Sequence, residues 1–392
     1  MKIFHQSGHN NNWNRDSFQE HGIGDGIIIS PVHTLVNVVE GFDSDLKSHS
    51  VFDPQFYVPD SQKVKLNSYH FFPEKLLDGF TTNDFEASAH ESAQLCLEFQ
   101  IRNDFEFLII PARYHEQMVS NFIEKQKAFS VEPFLSEASK SKTKKKIFLT
   151  LPLTAAMLLD SKFRVKVLNW ITSYQEIYGI YLLVNFDEPG KQISNFEKLN
   201  AYVAFISEVR GADLQVLCGY CNTEGLLLSA LDVYGATIGA YENTRRFSID
   251  KFIDDDTEMR GPAPRIYFPK LLNWIRYDTA VEIRDDHPDL WKTVYSPTSF
   301  SESIFEKGTR PHFTQPVLYH HHFELINDQY KTLEKIISKE DKINELKKSV
   351  SNALALYNDI DNAGILLFDG NCKGEHLPIW NRLLNRMGKP LT

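Results

Sequence analysis

Eight short apolar runs, most of them followed by a helix-like stretch, constrain what this chain can fold into more than any other feature of its 392 residues. They lie at residues 26–31, 51–57, 105–111, 147–151, 180–184, 214–218, 236–240 and 265–268. Runs that are apolar on both faces suit the strands of a parallel sheet, which is covered on both sides. The segments between them, notably 83–101, 155–177, 194–209 and 224–234, carry apolar residues at three- and four-residue spacing, as amphipathic helices do. Gly179 and Gly211 fall where such helices should stop. Eight strand–helix repeats predict an α/β fold, a (β/α)8 TIM barrel with a C-terminal helical extension. The alternative, an open doubly wound sheet, lacks its Gly-rich phosphate fingerprint here. The expected organisation is a barrel over residues 1–285, an irregular Pro-, Ser- and Thr-rich connection over 286–316, and a helical extension over 317–392. Its helices are expected at 319–337, 343–360 and 375–387.

The formal net charge of −10 argues against long tracts of nucleic acid as the default partner, because phosphate contacts need basic surfaces. The 28 Phe and 16 Tyr residues favour a large, well-filled core. Four cysteines are too few for a secreted disulfide scaffold. The N-terminus lacks the apolar run of a signal peptide, and no stretch approaches the ~20 apolar residues that span a bilayer. A cytoplasmic protein without membrane contact is expected. The basic run at 140–146 precedes the fourth expected strand, so it belongs to the bottom face and reads as a solvated loop, with a contact for nucleic acid or an acidic partner as the alternative.

In a barrel, residues just after each strand share one mouth. The expected mouth comprises Ser30 and His33, then Asp53, Gln55 and Tyr57, then Arg113 and Tyr114. Thr150, Thr154, Asn185, Asp187 and Glu188 follow. The sixth strand contributes Cys218, Gly219, Tyr220, Cys221, Asn222 and Glu224, the seventh Tyr241, Glu242 and Arg245, and the eighth Lys270. Asp187, Glu188 and Glu242 are the candidate acids, bases or nucleophiles, since carboxylates in a narrow mouth can have shifted pKa values. Helix capping, or pairing with Arg113 or Arg245, is the structural alternative. Two such carboxylates would also suit a glycosidase. Asp53 precedes Pro54 and is held extended, with Gln55 and Tyr57 expected on its face. The backbone N–H groups of the turn that starts at Gly219 are a candidate acceptor site for a carbonyl or phosphate, and Asn222 or Thr223 a candidate N-cap. A planar ring could stack among Tyr57, Tyr114, Tyr220 and Tyr241. Cys218 and Cys221 are half a zinc site. Neither Cys372 nor the His320–His322 run completes a standard pattern, so neither metal nor cofactor is expected.

The turn Gly219-Tyr220-Cys221-Asn222-Thr223-Glu224-Gly225, then Gly235-Ala236-Thr237-Ile238, then Thr244-Arg245, resembles the tRNA-guanine transglycosylase superfamily, especially its divergent, defence-associated branch. The resemblance covers about residues 22–276, mostly as strand order and loop character. In that family the turn binds the base, and a Thr-Arg element follows the nucleophilic Asp. Aligning on Thr244-Arg245 puts Gly239 where that Asp would stand, with Glu242 nearby but out of register. The family's zinc pattern of three close cysteines and a later His is missing. The resemblance implies a guanine or 7-deazaguanine ligand, free or attached to a macromolecule. It also implies a base-exchange or deazaguanine-processing enzyme of anti-phage operons such as type IV CBASS. Asp53, Asp187 or Glu188 would then read the base N–H groups, and the Gly219 turn its carbonyl. Glu242 would be the acid/base or nucleophile, and Arg245 would hold phosphate or orient Glu242, with Gln55, Tyr57, Arg113, Tyr220 and Asn222 around the ligand. The rivals are a non-catalytic barrel acting as a binding or scaffold subunit, and a glycoside hydrolase. The C-terminal helices are the candidate contact for a second copy or a defence-operon protein.

Overall fold

The computed structural model describes residues 1–73, 84–188, 190–253, 261, 263–308, 310–312 and 314–388. Eight parallel strands form a nearly closed TIM-barrel-like α/β fold, with helices between them and a set of C-terminal helices. The strands are β1 (Lys2–Gln6), β2 (Gly26–Ile29), β3 (Val51–Phe52), β4 (Leu108–Ile110), β5 (Ile147–Thr154), β6 (Ile177–Asn185), β7 (Gln215–Cys218) and β8 (Gly235–Gly239). Their order is β3-β2-β1-β8-β7-β6-β5-β4. Single backbone hydrogen bonds link the two edge strands at either end. Glu106 N–H donates to Ser50 O (2.9 Å) below, and Tyr114 N–H donates to Tyr57 O (3.0 Å) above.

Two strand expectations are corrected. Residues 2–6, unrecognised in the sequence, form β1, which pairs with both β2 and β8 and so completes the eight. Residues 265–268 form β9 (Arg265–Phe268), which pairs antiparallel with β10 (Asn273–Arg276) in a separate hairpin. The reason β1 escapes notice is chemical. Alternate residues of a strand share a face, and the Phe4 ring meets Phe107 at 6.3 Å while Phe107 meets Phe148 at 4.3 Å. Lys2 and Gln6 therefore share the inward face with Phe4, and these two polar residues interrupt the apolar pattern.

Two helical expectations also change. The stretch 155–177 divides into Ala155–Leu159 and Ser161–Ile171. Asp160 breaks it, its carboxylate accepting from the N–H groups of Lys162 (2.9 Å) and Phe163 (3.1 Å). The stretch 224–234 is a 3-10 run, Thr223–Leu231. The long helix expected from residue 83 runs Asp84–Arg102; residue 83 lies outside the described residues. In the basic run, Lys145 pairs with Asp104 at 2.7 Å and Lys146 lies 4.1 Å from the Tyr178 ring centre.

The bottom of the barrel is closed by a polar plug. Lys2 Nζ pairs with the Glu106 carboxylate, and Tyr234 Oη donates to it at 2.7 Å. Glu106→Gln is expected to cost about 1–2 kcal/mol, because Lys2 loses its counter-charge in a partly buried site. A urea titration checks this, and an unchanged midpoint would show that the plug is only a surface contact.

The chain divides into two compact units: Met1–Asp187 with Ala201–Cys221 and Val233–Asp256, and Glu188–Asn200 with Asn222–Asp232 and Thr257–Thr392. In the second, the connection expected to be irregular over 286–316 contains Pro288–Val294 and Ser299–Lys307, just after Tyr277–Asp286. Thr298 and Ser301 form a reciprocal capping box at the start of Ser299–Lys307. The extension follows as Val317–Glu334, Lys339–Asn362 and Leu377–Met387; residues 389–392 lie outside the described residues. This unit has its own core, including Ile266, Phe268, Ile275, Ile283 and Ile360. His321 is a structural member of it. Its Nδ1 meets Thr298 Oγ1 at 2.8 Å and its Nε2 meets Tyr267 O at 3.0 Å. Among the described residues, no helix is long and apolar enough to cross a membrane.

Candidate functional site in the barrel mouth

A polar cluster fills the C-terminal end of the barrel, and Asp53 is its centre. Asp53 follows β3 and is fully buried. Tyr57 Oη donates to its Oδ1 at 2.7 Å, and Gln55 N–H donates to the same oxygen at 3.1 Å. Tyr181 Oη and Gln55 Nε2 lie 3.4 and 3.5 Å from its Oδ2. Burial raises the Asp53 pKa, and the hydrogen bond from Tyr57 and the charge of Lys251 only partly offset this, leaving it at about 6. Burial and the neighbouring Asp53 push the Tyr57 and Tyr181 phenols well above their usual range, so both remain hydrogen-bond donors.

Gln55 and Tyr57 do reach Asp53, but not by strand alternation. β3 ends at Phe52, and Gln55 adopts a left-handed backbone (φ 58°). Gln55 Nε2 donates to Ser30 Oγ at 2.7 Å, and its Oε1 accepts from Val32 N–H at 2.9 Å. Tyr220, also left-handed (φ 55°), places its hydroxyl 3.5 Å from Gln55 Nε2. Such conformations cost of order 1–3 kcal/mol at bulky residues and gather at functional sites.

Sequence reasoning missed Gln6, Tyr181 and Lys251. Gln6 is fully buried at the end of β1; its Oε1 faces Tyr181 Oη and Tyr220 N–H, both at 3.4 Å, while its Nε2 has no hydrogen-bond partner. Tyr181 lies mid-strand on β6 and reads as core. Lys251 lies in the loop after β8, with its Nζ 3.4 Å from the Tyr220 ring centre. Burial pulls its pKa well down, opposed by Asp53. Phe247 and Phe252 roof the cluster, at 5.3 and 5.0 Å from the Tyr57 ring.

The remaining expected site residues have other placements. The Gly219 turn does not offer free N–H groups. Gly219 N–H donates to Leu182 O (3.0 Å) and Cys221 N–H to Thr237 Oγ1 (3.1 Å). Asn222 N–H donates to Glu224 Oε1 (2.9 Å), with Asn222 Nδ2 on Lys191 O (3.0 Å). Tyr220 N–H is turned to Gln6, so the turn is not a ready carbonyl receptor. Gly219 instead makes room: a Cβ there would lie 2.7 Å from Tyr181 Cε2 and 2.9 Å from its hydroxyl.

Glu188 is engaged structurally. Its Oε1 pairs with Lys198 Nζ at 2.9 Å and its Oε2 accepts from Ser194 N–H (3.2 Å) and Oγ (2.5 Å). Burial pushes its pKa up, but these contacts outweigh it and leave it below the usual carboxylate value. Asp187 is exposed and left-handed (φ 48°). Glu242 is half-buried and opens the 3-10 turn Glu242–Thr244, and Arg245, directly after it, is buried. Arg113 is half-buried and holds Gln126 through its backbone. Cys218 and Cys221 are buried thiols not joined in a disulfide, the first with its pKa pushed up to about 12 by burial. Among the described residues, no group of three His, Cys, Asp or Glu side chains is arranged to hold a metal.

Compared with known protein families, curated proteins and solved structures, the chain matches none.

Proposed function

We propose that the barrel mouth binds a guanine or 7-deazaguanine base, free or attached to a macromolecule, with Asp53 rather than Glu242 as its central ionisable group. The observation that carries this is the Gln6 amide nitrogen, buried without a partner on a side chain that is linked to Asp53 through the Tyr181 hydroxyl. Tyr181 Oη lies 3.4 Å from both side chains. A buried donor left unsatisfied costs about 1–3 kcal/mol and calls for an occupant. An amide donor next to a carboxylate acceptor complements a lactam edge: the amide meets the carbonyl, and the carboxylate meets the ring and amino N–H groups. A base would enter by displacing the Phe247–Lys251–Phe252 roof, and the tyrosines beneath it would flank its faces.

A thermal-shift series with guanine, 7-deazaguanine bases and their nucleosides tests the reading. Wild-type protein and Glu242→Ala are expected to be stabilised by the base, and Gln6→Leu to respond about tenfold more weakly, in line with one lost hydrogen bond. Stabilisation that Gln6→Leu retains in full would refute this arrangement.

The second reading, a barrel that binds without base exchange, is favoured by one contact. A Cβ at position 239 would lie 2.4 Å from Thr244 Oγ1 and 2.5 Å from Thr244 O, so no side chain fits where the family's nucleophile stands. The engagement of both Glu188 oxygens removes one of the carboxylates a glycoside hydrolase would use. Deazaguanine processing in anti-phage defence remains tied to the resemblance, and detection of a modified base in the bound ligand would test it.

A further inference from the structure

Lys251 has the surroundings of a nucleophile rather than of a surface charge. It lies in the 3-10 turn Asp250–Phe252, after β8. Its Nζ sits 3.4 Å from the Tyr220 ring centre, 5.2 Å from that of Phe252 and 5.9 Å from that of Phe247. Its hydrogen-bond acceptor is a carbonyl, Asn243 O, at 3.5 Å. The adjacent carboxylate, Asp250, is turned to Ser248 Oγ at 2.5 Å. Among the described residues, rings and one distant carbonyl surround the nitrogen, and no carboxylate forms an ion pair with it. Burial pulls the Lys251 pKa well down, with Asp53 opposing. A lysine desolvated among rings keeps a nitrogen lone pair near neutral pH, as attack on a carbonyl requires.

The proton donor that such an attack needs belongs to the same cluster. Tyr220 Oη is 3.5 Å from Gln55 Nε2, which is 3.5 Å from Asp53 Oδ2. The Phe252 ring meets the Tyr57 ring at 5.0 Å, and the Tyr57 hydroxyl donates to Asp53 at 2.7 Å. With its pKa at about 6, Asp53 can both give and take a proton near neutral pH. Gln6 Nε2, buried without a hydrogen-bond partner, suits an oxygen of the substrate.

We propose that Lys251 is a nucleophilic amine that condenses with a small hydroxylated aldehyde or ketone in the barrel mouth to form an imine, with Asp53 as the proton shuttle. The nitrogen lone pair forms the C–N bond as the C=O π bond breaks. The carbonyl oxygen takes a proton from Asp53, and one N–H proton returns to Asp53. A second proton from Asp53 then releases the hydroxyl as water, and the last N–H proton goes back to Asp53. One water is formed, and nothing is oxidised or reduced. The proposal shares the mouth with the base reading but does not depend on it.

The test is reductive trapping of the full chain with glycolaldehyde and cyanoborohydride, followed by peptide mass mapping. At pH 7 only roughly one ordinary lysine in a few thousand is uncharged, so Lys251 is expected to be labelled at least about tenfold faster than any other lysine, Lys145 on the bottom face included. Its rate should level off between pH 7 and 9, where an ordinary lysine still gains about tenfold per pH unit. Lys251→Met should lose this fast adduct and leave the slow labelling of Lys145 unchanged. Labelling of Lys251 no faster than that of Lys145, or a rate that climbs with pH as Lys145 does, would overturn the proposal. No base is used, so failed guanine binding would leave this result standing, and an unlabelled Lys251 would leave the base reading untouched.

Discussion

Asp53→Asn is expected to make the protein more stable at neutral pH while weakening the proposed binding of a base. The Asp53 carboxyl has its pKa raised from the ordinary 3.8 to about 6, chiefly by burial. A carboxyl whose pKa is raised on folding favours the native state while it is protonated in both states. That advantage shrinks as pH rises above about 4 and is gone once pH exceeds about 6. The ionised form therefore costs the native state roughly 3 kcal/mol at neutral pH. Asparagine is never ionised, and its Oδ1 still accepts from Tyr57 Oη and Gln55 N–H. Wild type and variant should melt alike near pH 4 and diverge through pH 6, with the variant higher by about 5–10 °C at pH 7. Base binding should weaken about a hundredfold, because a charged acceptor is replaced by an amide that presents its own N–H groups. A gap in melting temperature that does not change with pH would mean that Asp53 is not buried as an acid. The same trade of stability for a poised ionisable group is what a working site exhibits.

How much of this was legible in the sequence depends on which face carried the information. Strands apolar on both sides, such as β4 and β5, announced themselves, and so did the fold class. β1 did not, because its inward residues Lys2 and Gln6 are polar, and Gln6 was lost with it. β9 imitated a barrel strand because a buried hairpin strand and a buried parallel strand share an apolar composition; only pairing separates them. Asp53, Gln55, Tyr57 and Tyr220 were found by a positional rule, that residues following barrel strands meet in one mouth. The rule did not show which of them would be engaged in structural contacts. Glu188 and the Gly219 turn satisfy local backbone and side-chain groups, and only the three-dimensional hydrogen-bond count shows it. Tyr181 and Lys251 needed contacts far apart in the chain. The one available signal for Lys251 was a lysine between the aromatic residues Phe247 and Phe252, in a loop after a barrel strand.

Placing an aspartate at position 239, where the proposed resemblance would put a nucleophile, should fail, and the failure is informative. Gly239→Asp would place a Cβ 2.4 Å from Thr244 Oγ1 and 2.5 Å from the Thr244 carbonyl oxygen. The obstacle is largely backbone, which cannot rotate aside as a flexible side chain would. Thr244 is further held by its own bonds, N–H to Tyr241 O at 2.9 Å and Oγ1 to the same oxygen at 2.6 Å. Thr244 also packs on Gly8 after β1, where an added Cβ would lie 2.6 Å from its Cγ2. Moving Thr244 would therefore disturb the ends of both β1 and β8. The cost is expected to be at least about 3 kcal/mol, the upper range for overpacking, with a further penalty for a buried carboxylate. Gly239→Ala should already lose most of that stability, since the clash begins at Cβ, and Gly239→Asp/Thr244→Gly should recover part of it. Denaturant melts of the three variants would decide the matter. If Gly239→Asp folds with wild-type stability, the turn can open, and base exchange through an aspartate at this position becomes sterically available to the barrel. If it unfolds as expected, the chain has closed off that chemistry in its backbone, and the acid at the centre of the mouth is Asp53.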